Sequence, residues 1–264
     1  MKVRQLSGKK ILQPCSLEWY KYQIDPYIGC EHHCNYCYTL NQNDIEKTKE
    51  ILTYKDITGQ LIEELSGLKP QTVYMGMNTD PYQPCEEIYQ QTRKVLELLS
   101  YRKFSVCMLT KSDLICRDID LVKSMPGSST GVSIAFQKES VRQLFEANAP
   151  SNRRRIKALK RLKESGIETY VLINPVMPFI TDVEALIEKV SPYTGTIWIY
   201  GLRMESKKDK NWKNIKSILE KNFPDLLEKY KDIAFKENHP YWLELRQQLK
   251  SLQREKKLNL EIRV

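Results

Sequence analysis

Ile57, Leu61, Ile62, Leu65 and Leu68 recur at helical spacing. That period gathers them on one face and predicts a helix over 56–68. Short apolar runs bounded by turn residues follow, alternating with further helical patterns. Strands are predicted at Thr72–Met77, Phe104–Leu109, Gly131–Phe136, Ile167–Ile173 and Thr196–Tyr200. Helices are predicted over Glu86–Ser100, from an Asp113 cap to Ser124, from a Ser151 cap to Ser165, and from a Thr181 or Asp182 cap to about Val190. Gly166 stops the third of these. Ahead of the series, Tyr22–Ile28 reads as a first strand, and Asn41–Lys49 as a polar loop or frayed helix. Strand then helix, repeated through short loops, means a parallel sheet with helices outside it. Six such strands are present, where a closed (β/α)8 barrel needs eight.

The character changes after Arg203. Lys207-Lys208-Asp209-Lys210 is a charged loop, helices are predicted over 211–222 and 240–254, and Leu258–Val264 reads as a strand. The expected division is a leader (1–22), a core (23–205) and a C-terminal extension (206–264). No run of 18 apolar residues occurs, so no membrane span is expected. Met1–Lys10 lacks the apolar stretch of a secretory signal, and a cytoplasmic protein is expected.

The net charge of +9 favours polyanions, although many basic proteins bind none. Arg153, Arg154, Arg155, Lys157, Lys160, Arg161 and Lys163 share a helix with Ile156, Leu159 and Leu162. Its charges are read as a solvated outer face rather than a phosphate-binding one.

The candidate chemistry sits in Cys30-Glu-His-His-Cys34-Asn-Tyr-Cys37. Three thiolates on one short loop suit iron–sulfur chemistry, and soft sulfur also suits zinc. A structural zinc site usually takes four protein ligands, so His32, His33 or Cys15 would have to complete it. Seven cysteines are an odd number for a disulfide framework.

The spacing, with Tyr36 before the last cysteine, resembles the signature of the radical S-adenosylmethionine (SAM) superfamily. The flanks Asp25–Cys30 and Tyr38 resemble its spore-photoproduct-lyase-like branch. So do Asn78–Pro84, Thr110–Ile115 with Arg117 and Asp118, and Ala149-Pro150-Ser151. The similarity runs from about Tyr22 to Arg203.

The resemblance implies an α/β fold, a partial (β/α)6 TIM-like barrel with a small helical C-terminal extension. It implies one [4Fe–4S] cluster on Cys30, Cys34 and Cys37, with SAM on the open iron. Reductive cleavage of SAM would then give a 5′-deoxyadenosyl radical that takes hydrogen from an unidentified substrate, nucleic acid being one option. An electron donor such as flavodoxin or ferredoxin would be needed. Tyr36 is expected near the adenine, and one of Asn78, Thr79 and Asp80 at the SAM amino group. Lys111 is expected at the carboxylate and Ser133 at the ribose or carboxylate, with Asn174, Tyr200 and Arg203 on the same rim.

Each residue also has an ordinary reading. Tyr36 can be a packing aromatic, Asn78–Asp80 a turn before Pro81, Lys111 a surface charge, and Ser133 a core hydroxyl. His32 and His33 are read as loop residues beside the cluster, and no role is attached to His239. As the resemblance implies, the true lyase carries a hydrogen-donating cysteine at the end of the second strand, three residues before an aspartate. Against Asp80 that place holds Met77, so repair of spore photoproduct is not expected. Cys85 and Tyr82 are other conceivable donors, with Cys85 more simply a small residue at a helix start. The competing class is a zinc-bearing, non-catalytic nucleic-acid-binding protein.

Overall fold

The structure is a computed structural model that describes residues 2–42 and 50–264. Most of the stretch read as polar loop or frayed helix, 43–49, lies outside the described residues. In chain order the first elements are β1 (Lys2–Leu6), β2 (Leu12–Pro14), β3 (Tyr22–Ile24), β4 (Tyr27–Ile28), β5 (Glu50–Tyr54), α1 (Ile57–Glu64) and β6 (Thr72–Met75). Then come α2 (Glu86–Tyr89), α3 (Gln91–Tyr101), β7 (Ser105–Thr110), α4 (Ile119–Lys123), β8 (Ser129–Ser133), α5 (Glu139–Phe145) and α6 (Asn152–Glu164). The chain ends with β9 (Glu168–Val176), α7 (Val183–Val190), β10 (Thr196–Gly201), α8 (Lys210–Asn222), α9 (Leu227–Ile233), α10 (Pro240–Glu255) and β11 (Leu260–Arg263).

The chain divides into two compact units and passes between them several times, among other places after His32 and inside β8, α6 and β9. In the first, the strand order is β2-β3-β6-β7-β8, parallel except for β2 against β3. Val73, Met75, Val106 and Met108 are fully buried, and Tyr74 and Cys107 between them are nearly so. Burial on both faces is why these strands read as continuous apolar runs. A separate small sheet has the order β1-β5-β4. Residues 1–22 thus contain two strands, β1 and β2. β1 is largely solvent-facing and β2 is only three residues long, so no apolar pattern marks either.

The second unit holds the parallel order β9-β10-β11 and the helices α5, α7, α8, α9 and α10. Asp182 caps α7 by accepting from the Ala185 amide at 3.0 Å. Trp242 of α10 lies against Gly201 of β10, where a Cβ would come within 3.2 Å of the indole. The architecture is α/β, and its parallel-strand sheet is not closed, as expected of a partial (β/α)6 barrel. Among the described residues, no helix is long and apolar enough to cross a membrane.

Several boundaries differ from the sequence pattern. The first strand is split into β3 and β4. The helix expected over Glu86–Ser100 breaks at Gln90, whose φ is 50°. The cause is Glu86, whose carboxylate accepts from the amides of Thr92 (2.9 Å) and Arg93 (3.2 Å) and so caps α3. Ser112, not Asp113, caps the next turn, a 3-10 segment over Asp113–Asp118 that precedes α4. Asp113 is paired instead with Arg154 at 2.7 Å. Helices α5 and α9 are additions, each too short to show a period.

Candidate functional site

The cysteine loop is shared by the two units. Its first part, through His32, belongs to the first unit, and the rest to the second. Gly29, with φ 89°, makes the turn into Cys30. Its carbonyl accepts from Thr79 Oγ1 at 2.5 Å and from Gln83 Nε2 at 3.2 Å. The Glu31 amide donates to Gln83 Oε1 at 2.8 Å, and the Glu31 carboxylate accepts from the Cys85 amide at 2.6 Å. The segment after β6 therefore grips the start of the loop.

Asp80 organises this grip. It accepts from Thr110 Oγ1 (2.6 Å), the Lys111 amide (2.7 Å) and the Tyr82 amide (2.9 Å), and lies 3.2 Å from His32 Nε2. Burial pushes its carboxyl up, but His32 and these donors prevail and hold it well below the usual range. Asn78 binds Asp25 twice, through its amide at 3.0 Å and its side chain at 2.8 Å. Asp25 is buried beside these donors, and burial pushes its carboxyl up. Gly76 (φ 95°) ends β6 where a Cβ would lie 2.5 Å from the Leu109 carbonyl. So Asn78, Thr79, Asp80 and the Lys111 backbone are brought together with the start of the cysteine loop.

In the second unit, Cys34 is buried and Cys37 half-buried. The Cys37 amide donates to the Cys34 carbonyl at 3.0 Å, closing a turn. Asn35 is anchored through its amide to the Phe145 carbonyl (2.8 Å) and through its side chain to the Leu144 carbonyl (3.0 Å). Tyr36 donates its hydroxyl to fully buried Glu146, and its ring lies 6.3 Å from that of Phe136. Buried Arg142 donates to the Ala149 carbonyl at 2.9 Å and also to that of Glu146, fixing the Ala149–Ser151 stretch. Ser133 ends β8 and is buried. Asn174 and Tyr200 lie near the ends of β9 and β10, on strands whose register pairs Ile173 with Ile199. Tyr200 stacks near Trp198, and burial raises its phenol.

One network was not legible as such. Glu86 and Asp118 are fully buried, and Arg117 bridges them at 2.6 and 2.7 Å. Tyr27 donates to Glu86, and Arg93 donates to Asp118 at 2.6 Å. Arg117 and Asp118 stood in a family-like stretch, but nothing local named Glu86 as their partner. Glu146 gave no signal, since α5 was not expected. Cys85 packs with Tyr27 and Ile51 in a small apolar cluster, and burial with Glu31 beside it keeps its thiol protonated.

A model of the radical SAM superfamily matches residues 24–190. The chain belongs to the radical SAM superfamily. An uncharacterized protein of Methanocaldococcus jannaschii is 31% identical over 231 residues, covering 86% of each chain. Among solved structures, a spore photoproduct lyase with bound AdoMet and dinucleoside spore photoproduct aligns with TM-score 0.60 and 16% identity. That alignment covers 84% of this chain and 66% of the lyase. Streptococcus suis SuiB bound to S-adenosylmethionine aligns with TM-score 0.57 and 14% identity, covering 90% of this chain and 48% of SuiB. The fold is therefore common to this chain and to both structures.

Membership in the superfamily implies SAM and an iron–sulfur cluster, and the donor set fits that pair. None of the seven cysteines is in a disulfide. In the first unit the backbone beside Cys30 is held by Thr79 and Gln83, and in the second that beside Cys34 and Cys37 is held at Asn35 by the Phe145 and Leu144 carbonyls. Among the described residues, no three His, Cys, Asp or Glu side chains gather as ligands of one metal ion. Thiolate is the protein ligand that iron–sulfur clusters take.

Proposed function

We propose that this radical SAM enzyme holds one [4Fe–4S] cluster on Cys30, Cys34 and Cys37 and abstracts a hydrogen atom from its substrate. The observation that carries the proposal is the three-cysteine loop, which lies within the residues that match the superfamily model. When bound, the cluster and SAM supply the 5′-deoxyadenosyl radical; the protein supplies position and exclusion of water.

The residues divide by task. Asp80, with its oxygens engaged by Thr110, Tyr82, the Lys111 backbone and His32, positions the loop. Thr79 does the same through Gly29. The Lys111 side chain pairs with the SAM carboxylate, and Tyr36, oriented by Glu146, faces the adenine. Asn78, Ser133, Asn174 and Tyr200 are proposed as further contacts. The core over 23–205 carries the reaction, with 206–264 an extension. A one-electron donor such as a flavodoxin or ferredoxin reduces the cluster, and a reducing cytoplasm keeps the thiols available.

The test is to change Cys30, Cys34 and Cys37 singly to Ala and reconstitute each variant anaerobically. Each variant is expected to lose the cluster and SAM cleavage together. A variant that keeps both overturns the ligand assignment.

A further inference from the structure

Phe179 lies in the turn after β9, at the carboxyl end of the strand, where chemistry sits in barrels of this kind. Its φ is +61°, a region that a bulky residue rarely adopts and that Asn or Gly would fill at less cost. The residue is 53% exposed even so. The turn around it is nevertheless fixed. Tyr230 of α9 is buried and donates to the Pro178 carbonyl at 2.7 Å. The Phe179 amide donates to Tyr241 Oη of α10 at 3.3 Å, and Thr181 Oγ1 accepts from the Met177 amide at 3.0 Å. The Tyr241 ring lies 4.8 Å from that of Phe179, tilted by 58°, and Lys229 Nζ sits over the Phe179 ring, 4.9 Å from its centroid. An aromatic held in a strained backbone, half-exposed and flanked by a cation, has the composition of a stacking platform.

Charge indicates the occupant. Residues 206–264 hold fifteen Lys and Arg against nine Asp and Glu, so this stretch carries +6 of the chain's +9. Stacking on an aromatic ring beside a lysine is how single-stranded nucleic acid is held without sequence preference. An acidic peptide would meet the charge but has no need of an exposed flat ring.

We propose that Phe179, with Lys229 and Tyr241, forms a stacking platform for an unpaired base of a single-stranded nucleic acid. The C-terminal extension then has a task, since α9 and α10 hold the platform in place. This deepens the radical SAM reading by naming its substrate class and rests on that reading for the chemistry. The binding itself requires no SAM cleavage, so the two can fail separately.

The experiment is fluorescence anisotropy of the full chain with a labelled single-stranded oligonucleotide, its duplex, and an acidic aromatic peptide. The variants are Phe179→Asn, Phe179→Tyr and Lys229→Ala. Phe179→Asn is expected to weaken single-strand binding by about tenfold or more, the range of one stacked base. Its thermal midpoint should equal or exceed wild type, because Asn tolerates the left-handed backbone. Phe179→Tyr should retain binding. Lys229→Ala should weaken binding and flatten its salt dependence by about one phosphate contact. Unchanged affinity in Phe179→Asn overturns the proposal. So does duplex binding as tight as single-strand binding, or capture of the peptide alone. If Phe179→Asn unfolds the chain, the ring is structural, and an unaltered salt slope in Lys229→Ala then overturns the platform as well.

Discussion

Asp80 sets the pH dependence expected of the site. Its pKa is lowered in the folded state, so the ionised form is favoured by folding. The stability it contributes is fully present above its unfolded value of about 4 and is lost as pH falls through the lower folded value. Asp80→Asn should therefore flatten the acid limb of a urea-midpoint-against-pH curve. At neutral pH it should cost about 1.5–3 kcal/mol, the worth of hydrogen bonds to a charged group. An acid limb identical to wild type would show that another carboxylate governs it. The family resemblance marked Asp80 as a site residue but could not supply Thr110, which lies thirty positions on. Met77 is a second residue with a sharp expectation. It is half-exposed, and its thioether accepts from Ser16 Oγ at 3.8 Å. A thioether has no S–H to return to a substrate radical, and Cys85 is enclosed in its apolar cluster. Reduced enzyme incubated anaerobically with SAM and dinucleoside spore photoproduct should release no thymine pair. Clean conversion would mean that another donor takes the place of Met77.

At the scale of elements, backbone conformation decides what the apolar pattern cannot. The pattern over Glu86–Ser100 is one continuous helix, yet a buried carboxylate four residues before Gln90 caps a second helix and forces Gln90 into the left-handed region. Gln90→Gly should raise stability by about 1 kcal/mol, because glycine adopts that region without the Cβ penalty. Gly76→Ala should have the opposite sign and a larger size. It combines a left-handed φ of 95° with a Cβ placed 2.5 Å from the Leu109 carbonyl, so β6 and β7 would have to separate. Both values follow from chemical denaturation of the two variants. A Gly76→Ala chain as stable as wild type would contradict the close approach. The same limit explains β1, β2, α5 and α9. None carries enough buried apolar residues to produce a period.

For the whole molecule, the alternation of strand and helix was legible because a parallel sheet buried on both faces writes itself as apolar runs at regular intervals. The cysteine loop was legible because its ligand types and spacing are confined to eight residues. What fixes the loop was not: Asp80 with His32 and Glu146 with Tyr36 join residues far apart in the chain, as Arg117 does with Glu86 nearby in the first unit. The positive charge of 206–264, +6 of the chain's +9, is a whole-molecule property too. The central claim is that three cysteines leave one cluster iron for SAM. The most direct measurement is the electron paramagnetic resonance spectrum of the anaerobically reconstituted, reduced protein with and without SAM. A [4Fe–4S] signal that changes on adding SAM, followed by accumulation of 5′-deoxyadenosine, is the result predicted. A colourless zinc-loaded protein, or an iron–sulfur signal that SAM leaves unaltered, would contradict it.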